Sequence, residues 1–448
     1  MTHKAPASRT MKVDALARVE GEGAMYVEIV DGSVRDVQLE IYEPPRFFEA
    51  FLRGRAYTEP PDITARICGI CPVAYQMSSV RAIEDACGAT VDGALRDLRK
   101  LLYYGEWIES HTLHIAMLHA PDFLGYDSAI DMAADHRPAV ERSLRLKKAG
   151  NAVIEQVGGR AVHPVNVRVG GFYRVPTKRE LRPLSETLRR ARDDAVATVQ
   201  WVAGFDFPDF DHGHEHVALT RTDEYAVLDG RIRSDRGLDV DERAFLDHIE
   251  EEHVEHSTAL HAHLLERAEY LVGPLARYSL GSDHLTPVAR EAARSAGLGA
   301  ECRNPFRSIV VRAVEVLHAC EEALTILDGY EPPDRPAVTV EPRAAVGHAC
   351  TEAPRGLLYH RYELADDGSI LDARIIPPTS QNQPTIEHDL WHFVDDNLGL
   401  DQDTLQLRSE QIIRNYDPCI SCATHFLDLT VDDGSGTTRG ATEGGGET

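Results

Sequence analysis

The sequence predicts an α+β fold that is predominantly helical, with a central helix bundle and peripheral β-hairpins. The first observation is a set of long segments with helical character, including apolar residues at steps of three and four; they are residues 93–119, 177–203, 241–272 and 304–328. The second is alternation of apolar and polar residues around a turn sequence, at Asp31-Gly32 and at Asp366-Asp367-Gly368. Such alternation is typical of β-hairpins.

Shorter segments complete the predicted order of elements. The first hairpin occupies residues 25–42 and the second occupies residues 357–376. Pro72 is well placed to begin a helix, because a proline at the first helical position has no N–H group to leave unpaired. The remaining predicted elements are a short helix at 47–52, a helix at 72–87, a strand at 165–169 and a helix at 405–415.

Composition limits the classes of protein and partner. The chain has 448 residues, enough for two or three domains or one large one, and a formal net charge of −26. An acidic surface of this kind argues against nucleic acid and anionic membrane faces as partners. Residues 1–17 have no apolar core of signal-peptide length, and no apolar run is long enough to span a bilayer. We therefore expect a cytoplasmic protein without a membrane segment.

Two Cys-x-x-Cys pairs lie near opposite ends of the chain, Cys68 with Cys71 and Cys419 with Cys422. Two intervening residues let a turn aim both sulfurs at one point, so four thiolates could converge on a metal. Thiolates suit zinc, nickel and iron–sulfur clusters alike, and a closed structural zinc site is a competing hypothesis. Zinc ribbons, however, usually separate their pairs by about 15 to 20 residues. The other cysteines lack pair spacing and are predicted to be small buried apolar residues: Cys87, Cys302, Cys320 and Cys350.

The surroundings of both pairs resemble the two signature motifs of the large subunit of nickel–iron hydrogenases. The motifs here are Arg66-Ile67-Cys68-Gly69-Ile70-Cys71 and Asp417-Pro418-Cys419-Ile420-Ser421-Cys422-Ala423-Thr424-His425. Further matching segments follow in family order at 18–21, 46–49, 120–123, 158–164 and 352–356. The resemblance covers residues 11–425 and implies a single large-subunit domain over 1–425. Residues 426–448 are then a C-terminal extension, which the family removes after the final histidine, here His425, once the metals are inserted.

The resemblance implies a nickel ion bound by Cys68, Cys71, Cys419 and Cys422. Cys71 and Cys422 would also bridge to an iron that carries carbon monoxide and cyanide ligands. Hydrogen would be split heterolytically, with the proton passing to Cys419 and then to Glu20. Without the resemblance, Glu20 would be interpreted as an exposed loop carboxylate.

Three more residues receive catalytic roles from the resemblance alone. Asp122, Arg355 and Asp417 would set the electric field above the metal site, because a guanidinium keeps its positive charge there. Without the resemblance, Asp122 and Arg355 would each have an ordinary structural interpretation. Asp122 follows a proline and would suit a turn, and Arg355 in a Pro-Arg-Gly turn would be a surface residue.

The resemblance also assigns outer positions of the site. Glu49 and His425 would bind a second, hard cation, either magnesium or iron. Thr379 and Ser380 match a segment that hydrogen-bonds the diatomic ligands of the iron. The chain departs from the commonest pattern at Tyr75, where many members have a histidine that hydrogen-bonds a ligand sulfur. A phenol can donate a similar bond but does not titrate near neutral pH.

Three histidines alternate at 212, 214 and 216 and would share one face of an extended segment. Binding of a divalent metal ion is one interpretation of this pattern, and a solvated surface loop is the other.

Electrons must leave through another subunit, because the chain has no further cysteine cluster and no dinucleotide fingerprint. The resemblance implies an iron–sulfur small subunit. Tyr75 and the Cys-Ala-Thr-His ending are most similar to the cytoplasmic NAD(P)-linked branch, which includes sulfhydrogenases, so FAD and NAD(P) are expected on partner diaphorase subunits only. H2 is the expected substrate and a maturation protease a further partner. The alternatives are a zinc-stapled structural subunit and a complex I quinone-site subunit, which normally lacks the four cysteines.

Overall fold

The computed structural model describes residues 8–267 and 269–424 of the chain. None of the helices in this part of the chain is both long and apolar enough to cross a membrane. The helices, in chain order, are α1 (Phe48–Leu52), α2 (Pro60–Thr64), α3 (Pro72–Cys87), α4 (Gly93–Leu113), α5 (Ala120–Leu124), α6 (Ala129–Asp135), α7 (Arg137–Gly158), α8 (Lys178–Ala203), α9 (Pro274–Gly281), α10 (Pro287–Ser295), α11 (Ser308–Gly329), α12 (Pro378–Asp396), α13 (Gln402–Asn415) and α14 (Ile420–Ala423).

The strands form small sheets between the helices. In chain order they are β1 (Arg9–Val13), β2 (Gly23–Val30), β3 (Ser33–Ile41), β4 (Val167–Arg168), β5 (Gly171–Phe172), β6 (Glu215–Thr220), β7 (Arg231–Ser234), β8 (Asp239–Val240), β9 (Ile249–Glu252), β10 (His261–Leu264), β11 (Tyr270–Leu271), β12 (Ala345–Ala353), β13 (Gly356–Leu364) and β14 (Ile370–Ile376). The larger sheets have the strand orders β1-β2-β3, β12-β13-β14 and β11-β6-β7-β8. Strand β11 runs parallel to β6.

Four long helices form the centre of the molecule. Helix α4 packs against α7 and α11, and α8 packs against the same two helices. Each contributes fully buried apolar side chains, such as Trp107, Val153, Leu188 and Leu317. Burying a side chain of this size stabilises the fold by roughly 1.5–3 kcal/mol. The predicted fold class, mainly helical with a central bundle and peripheral hairpins, is confirmed.

Both predicted hairpins are present, and each is joined by a third strand. Strands β2 and β3 meet at Asp31 and Gly32, whose φ angles are 52° and 78°. Positive φ at both positions is what a primed hairpin turn requires. Strand β1 pairs with β2, and β12 pairs with β13. These third strands were not part of the prediction.

Most of the other predicted elements are present with shifted ends. Helix α8 begins at a capping box, in which Thr177 and Glu180 each bond the backbone of the other. The correspondences are 47–52 with α1, 72–87 with α3, 93–119 with α4 and a π-helical segment at His114–His119, 165–169 with β4, 177–203 with α8, 304–328 with a 3₁₀ turn at Pro305–Arg307 and α11, and 405–415 with α13.

The helix predicted at 241–272 is wrong. The segment instead contains a 3₁₀ helix at Glu242–Asp247 and strands β9, β10 and β11. Strand β9 pairs with β10 and places Ile249 opposite Leu264, and both side chains are buried. Strand β10 also packs against α12, more than a hundred residues later in the chain. Distant packing partners therefore outweighed the local spacing of apolar residues.

Helix α3 carries the first cysteine pair into the core. It begins at Pro72, directly after Cys71, and packs against β12 and β13. The approach is close at Gly347 of β12, where an added Cβ would lie 2.0 Å from the carbonyl oxygen of Ala82. Glycine at this position lets the backbones of helix and sheet meet.

Candidate metal centre

The four cysteines of the two pairs meet in one buried cluster. Their Sγ atoms all lie within 4.8 Å of one another, and each residue is at most 3% exposed. The Sγ atom of Cys68 lies 3.5 Å from that of Cys419, and the Sγ atom of Cys71 lies 3.7 Å from that of Cys422. Each member of the first pair therefore faces one member of the second. Of the remaining cysteines, three are buried as predicted and Cys87 is half-buried.

The first pair is held by local structure. A 3₁₀ turn at Ala65–Ile67 leads into Cys68, whose Sγ accepts the backbone N–H groups of Ile70 and Cys71, both at 3.3 Å. Cys71 is the residue that caps the N-terminus of α3. A helix N-terminus stabilises a thiolate over a thiol, because its N–H groups and dipole present positive charge.

Glu106 of α4 secures the start of α3. Its carboxylate accepts the backbone N–H groups of Val73 at 2.6 Å and Ala74 at 3.0 Å. Burial nevertheless raises the pKa of Glu106 well above its ordinary value. The sequence analysis missed this residue. The signal that could have found it is an acidic residue beside Trp107 in an otherwise apolar helix turn.

The second pair lies on a segment that distant residues hold in place. Glu20 contacts it most: its Oε2 accepts the thiol of Cys419 and the N–H of Ser421, both at 3.1 Å. The N–H of Ile420 donates to the carbonyl oxygen of Glu20 at 3.0 Å. Gly21 has a φ of +88°, and an added Cβ would lie 2.7 Å from the Cβ of Ile420, so this approach requires glycine.

Thr379 and Arg46 hold the same segment from other sides. Thr379, in the first turn of α12, accepts the N–H of Cys419 at 3.0 Å. The guanidinium of Arg46 donates to the carbonyl oxygens of Ile67, at 2.7 Å, and Ser421. One arginine side chain therefore joins the two pairs. Arg46 belongs to a matching sequence segment but was not predicted as a site residue.

A buried ion pair directly precedes the second pair. Arg355 donates to the carbonyl oxygen of Asp417 at 2.7 Å and to its Oδ1 at 3.1 Å. Both side chains are at most 2% exposed. Against the opposing effect of burial, the charges of Asp417 and of the cysteines raise the pKa of Arg355 well above its ordinary value. Arg355 therefore stays positively charged beside the cluster.

Asp122 lies between two arginines. Its carboxylate accepts a hydrogen bond from Arg18 at 2.5 Å and two from Nε and Nη2 of Arg414, both at 2.8 Å. Arg18 is two residues before Glu20, and Arg414 is three residues before Asp417. Asp122 therefore joins two of the segments that meet at the second pair.

Glu49 is buried in α1, close to the end of the described chain. It accepts the N–H of Ile375 at 2.7 Å, and burial raises its pKa to about 7. The N–H of Arg46 donates to the carbonyl oxygen of Thr424 at 2.7 Å, so the residue before His425 lies near this helix. His425 itself and the predicted extension over 426–448 lie outside the described residues.

The two remaining positions from the sequence analysis are buried near the cluster. The hydroxyl of Tyr75 lies 3.5 Å from the carbonyl oxygen of Cys422, and burial raises its pKa well above the ordinary value. Ser380 is buried next to Thr379 in the first turn of α12.

The three alternating histidines occupy different environments. His212 is half-buried and stacks on the ring of His392 with centroids 4.5 Å apart. His214 is buried, and its Nε2 lies 2.6 Å from Oδ1 of Asp389. His216 is buried as well. The interpretation as a solvated surface loop is therefore wrong for His214 and His216.

Comparison with known proteins decides the family. The sequence profile of the nickel-dependent hydrogenases matches residues 46–174 and 272–425, more than half of the chain. The chain belongs to the nickel-dependent hydrogenase family. It is an oxidoreductase subunit that acts on H2.

Curated relatives cover almost the whole chain. Sulfhydrogenase 1 subunit alpha of Pyrococcus furiosus is 33% identical over 421 residues, which are 93% of this chain and 98% of the relative. The NAD-reducing hydrogenase HoxS subunit beta of Cupriavidus necator is 28% identical and covers 94% of this chain and 95% of its own length. The predicted resemblance to nickel–iron hydrogenase large subunits is confirmed.

Solved structures show the same fold. An NAD⁺-reducing [NiFe]-hydrogenase in the H2-reduced state has a TM-score of 0.84 at 26% identity, covering 94% of this chain and 100% of that one. A [NiFeSe]-hydrogenase from Dm. baculatum has a TM-score of 0.75 at 21% identity, with the same coverage. The profile match and the curated relatives favour the hydrogenase hypothesis over the zinc-stapled and quinone-site alternatives.

The four-cysteine cluster fits the nickel–iron centre of this family. Burial raises the pKa of the Cys419 thiol, whereas hydrogen bonds with neighbouring thiols, Cys419 first, lower that of Cys68. Four thiolates cannot all keep their charge this close together in a dry site unless a cation compensates them. Soft thiolate ligands suit nickel and iron, so the buried donor set and the family agree.

Proposed function

We propose that Cys68, Cys71, Cys419 and Cys422 bind the nickel of a nickel–iron centre, and that Cys71 and Cys422 also bind an iron carrying carbon monoxide and cyanide. The observation that carries this proposal is the convergence of four buried thiols, with Cys71 facing Cys422 across the cluster. When bound, such a centre supplies the heterolytic cleavage of H2. The chain's own residues then have to move the proton and keep water out.

Cys419 and Glu20 form the first proton-transfer step. The thiol of Cys419 donates to Oε2 of Glu20 at 3.1 Å, within the range in which a carboxylate can accept a proton directly. Glu20 is half-buried, so it connects the buried cluster to the protein surface. A proton on the Cys419 sulfur can therefore pass to Glu20 and onwards.

Arg355, Asp417 and Asp122 set the charge around the cluster. Arg355 is buried beside the thiols with Asp417 as its counter-ion, and a fixed guanidinium stabilises negative charge that develops nearby. Asp122 acts through Arg414 and Arg18, which it holds in place. Thr379 and Ser380, at the start of α12, would hydrogen-bond the diatomic ligands of the iron.

Glu49 and His425 bind a second, hard cation, magnesium or iron. A cation bound by Glu49 would lower the pKa of this carboxylate, which burial raises to about 7. Thr424 lies against the backbone of Arg46, two residues before α1. Magnesium prefers the oxygen ligand that Glu49 supplies.

Electrons leave to an iron–sulfur small subunit. The relatives named above include sulfhydrogenase and NAD-reducing hydrogenase subunits, so FAD- and NAD(P)-binding diaphorase subunits are the partners we infer beyond it, in the cytoplasm. Residues 426–448 are removed by a maturation protease after His425, once the metals are in place. Mass spectrometry of the isolated complex tests the cleavage point.

Infrared spectroscopy of the anaerobically purified complex tests the metal centre. One band for metal-bound carbon monoxide and two for cyanide are expected. If the bands are absent and zinc is present, the proposal is wrong. If the bands are absent while the extension is still attached, the spectrum is recorded again after maturation. Absence of the bands from the matured protein would then contradict the proposal.

The variant Glu20→Gln tests the proton path. Gln cannot accept the proton from Cys419, so we expect H2 turnover to fall by about 100-fold or more while the infrared bands remain. Glu22→Gln, at an exposed position two residues away, is the matched control and should keep full turnover. Unchanged turnover in Glu20→Gln would show that the proton leaves by another route.

A further inference from the structure

A group of histidines gathers away from the cysteine cluster, where α12 meets the segment before β6. His388 and His392 lie one turn apart on α12, so both side chains lie on one face of the helix. His212 stacks on His392, and the ring of His214 lies 4.9 Å from that of His388. Two chain segments therefore bring four imidazoles together.

The distances suit ligands of one metal ion. Nε2 of His388 lies 3.1 Å from Nε2 of His392. Two nitrogens that each bind one ion at about 2.0–2.1 Å are separated by roughly 2.9 to 3.4 Å. One ligand atom each from His214, His388 and Asp389 also lies within 4.8 Å of the other two. His388 is the residue common to both sets. The three-residue set does not include His392, so a fourth ligand from His392 requires its side chain to turn toward the other three.

The existing hydrogen bonds leave His388 incompletely satisfied. Its Nδ1 is buried and has no hydrogen-bond partner among the described residues. Its Nε2 faces another imidazole nitrogen and lies 3.4 Å from Oε1 of Glu269. The Nε2 contact is a hydrogen bond when one imidazole N–H donates to the other nitrogen, so the unpartnered Nδ1 is the observation that points to a ligand. A buried nitrogen without a partner costs free energy.

A second group on the same helix provides a contrast. His256, His261 and Glu387 also come within ligand distance of one another. There, however, one oxygen of Glu387 already accepts His256 at 2.7 Å and the N–H of Leu39 at 2.8 Å. Ordinary hydrogen bonds occupy that carboxylate oxygen, although Nε2 of His261 is buried without a partner among the described residues, and we make no metal proposal there.

The histidine group is connected to the second cysteine pair. Asp389 is fully buried, and while Oδ1 faces His214, its Oδ2 accepts the hydroxyl of Tyr416 at 2.6 Å. Tyr416 directly precedes Asp417, the partner of Arg355. An ion that fixes Asp389 would therefore also fix the start of the segment that carries Cys419.

We propose that His214, His388, His392 and Asp389 bind one divalent transition-metal ion that stabilises the docking of the second cysteine motif. Imidazoles with one carboxylate suit zinc, nickel and cobalt, whereas magnesium and calcium prefer all-oxygen sites. His388 and His392 are half-buried, which leaves a route for the ion from solvent. The site is separate from the cysteine cluster and would bind its ion whether or not that cluster is filled.

Titration of the full-length chain with Co²⁺ tests the site. Cobalt bound by nitrogen and oxygen has visible absorption without the thiolate charge-transfer band that cobalt in the cysteine cluster produces, so the two sites are read separately. The titration is made with Glu49→Gln protein, which removes the other proposed site with nitrogen and oxygen ligands, and one equivalent of the first kind is expected. His388→Gln with His392→Gln should weaken it by about 100-fold or more, since even losing an outer partner costs about 10- to 100-fold. The thiolate band should remain.

His214→Gln is the deciding variant, because His214 lies on the other chain segment. It should weaken Co²⁺ binding by at least about tenfold and reduce the rise in melting temperature that Zn²⁺ gives the parent chain, leaving the part that comes from the cysteine cluster. If His214→Gln binds Co²⁺ as tightly as the parent, then His388 and His392 of α12 hold the ion without the other chain segment, and the proposal is overturned. It is also overturned if the double variant keeps its nitrogen- and oxygen-bound cobalt. Replacing His136 and His284, outside the group, by Gln is the control.

Discussion

The two cysteine pairs have the same spacing but are supported in different ways. The first pair is positioned by its own turn and by the N-terminus of α3, through bonds between neighbours in sequence. The second pair lies on a segment bonded to Glu20 and Thr379, and the cysteine-to-Glu20 bond spans 399 positions. The first half of the site can form with local structure, whereas the second requires the rest of the fold.

The second segment depends on residues from several parts of the chain, whereas the first depends mainly on its neighbours in sequence. Variants that remove those distant supports should therefore affect the second pair and leave the first one formed.

The largest effect is expected for Arg355→Ala. Asp417 would lose its counter-ion while it stays buried, which costs about 3–5 kcal/mol, and the segment with Cys419 should detach. Chemical denaturation should show the loss of stability, and metal analysis a loss of nickel. Arg53→Ala, which removes an exposed partner of Asp372, is the control and should cost less than about 1 kcal/mol. Equal effects of the two changes would contradict the buried-pair account.

A pH-dependent effect is expected for Glu49→Gln in metal-free protein. The folded-state pKa of Glu49 is raised from 4.5 to about 7, so its contribution to stability is present below pH 4.5 and is lost as pH rises through 7. The variant should gain stability over the parent between pH 5 and pH 8, by roughly 3 kcal/mol. Parallel unfolding curves at the two pH values measure this gain.

Magnesium provides the control for that measurement. If Glu49 is a cation ligand, Mg²⁺ at pH 8 should stabilise the parent chain and leave Glu49→Gln unchanged. A difference between the two proteins that does not vary with pH would rule out the raised pKa as its cause.

A smaller effect is expected for Thr379→Val. The N–H of Cys419 would stay buried without its acceptor, which costs about 1–3 kcal/mol of stability. Thr379→Ser keeps the hydroxyl, so it should retain most of the parent's stability. Amide hydrogen exchange at 417–423 should increase in the Val variant and remain slow at 68–75. Faster exchange at both pairs would mean that they are not supported independently.

The smallest effect is expected for Tyr75→Phe. The hydroxyl lies 3.5 Å from the carbonyl oxygen of Cys422, a distance at which a hydrogen bond is weak. We expect a loss of at most about 0.5 kcal/mol and little change in nickel content. A loss above about 2 kcal/mol would indicate that this phenol is a main support of the second pair.

Local chemistry made much of the structure predictable from the sequence. The Asp31-Gly32 turn, the start of α3 at Pro72 and the capping box of α8 depend on residues only a few positions apart, so the sequence shows them directly. The cysteine pairs were recognisable for the same reason: each motif contains both of its sulfurs. The third strands β1 and β12 were missed because their pairing edges come from elsewhere in the chain.

Tertiary packing decided the rest. The spacing of apolar residues at 241–272 predicted a helix. The segment forms strands instead, because β9 pairs with β10 and β10 packs on α12. Three further contacts join residues far apart in sequence. His214 is buried against Asp389, Glu106 caps α3, and Arg46 connects the two cysteine pairs. The sequence by itself determined the two cysteine pairs and the local elements that carry them. Only the folded core determined which distant side chains support those cysteines, because such contacts depend on packing rather than on neighbours in the chain.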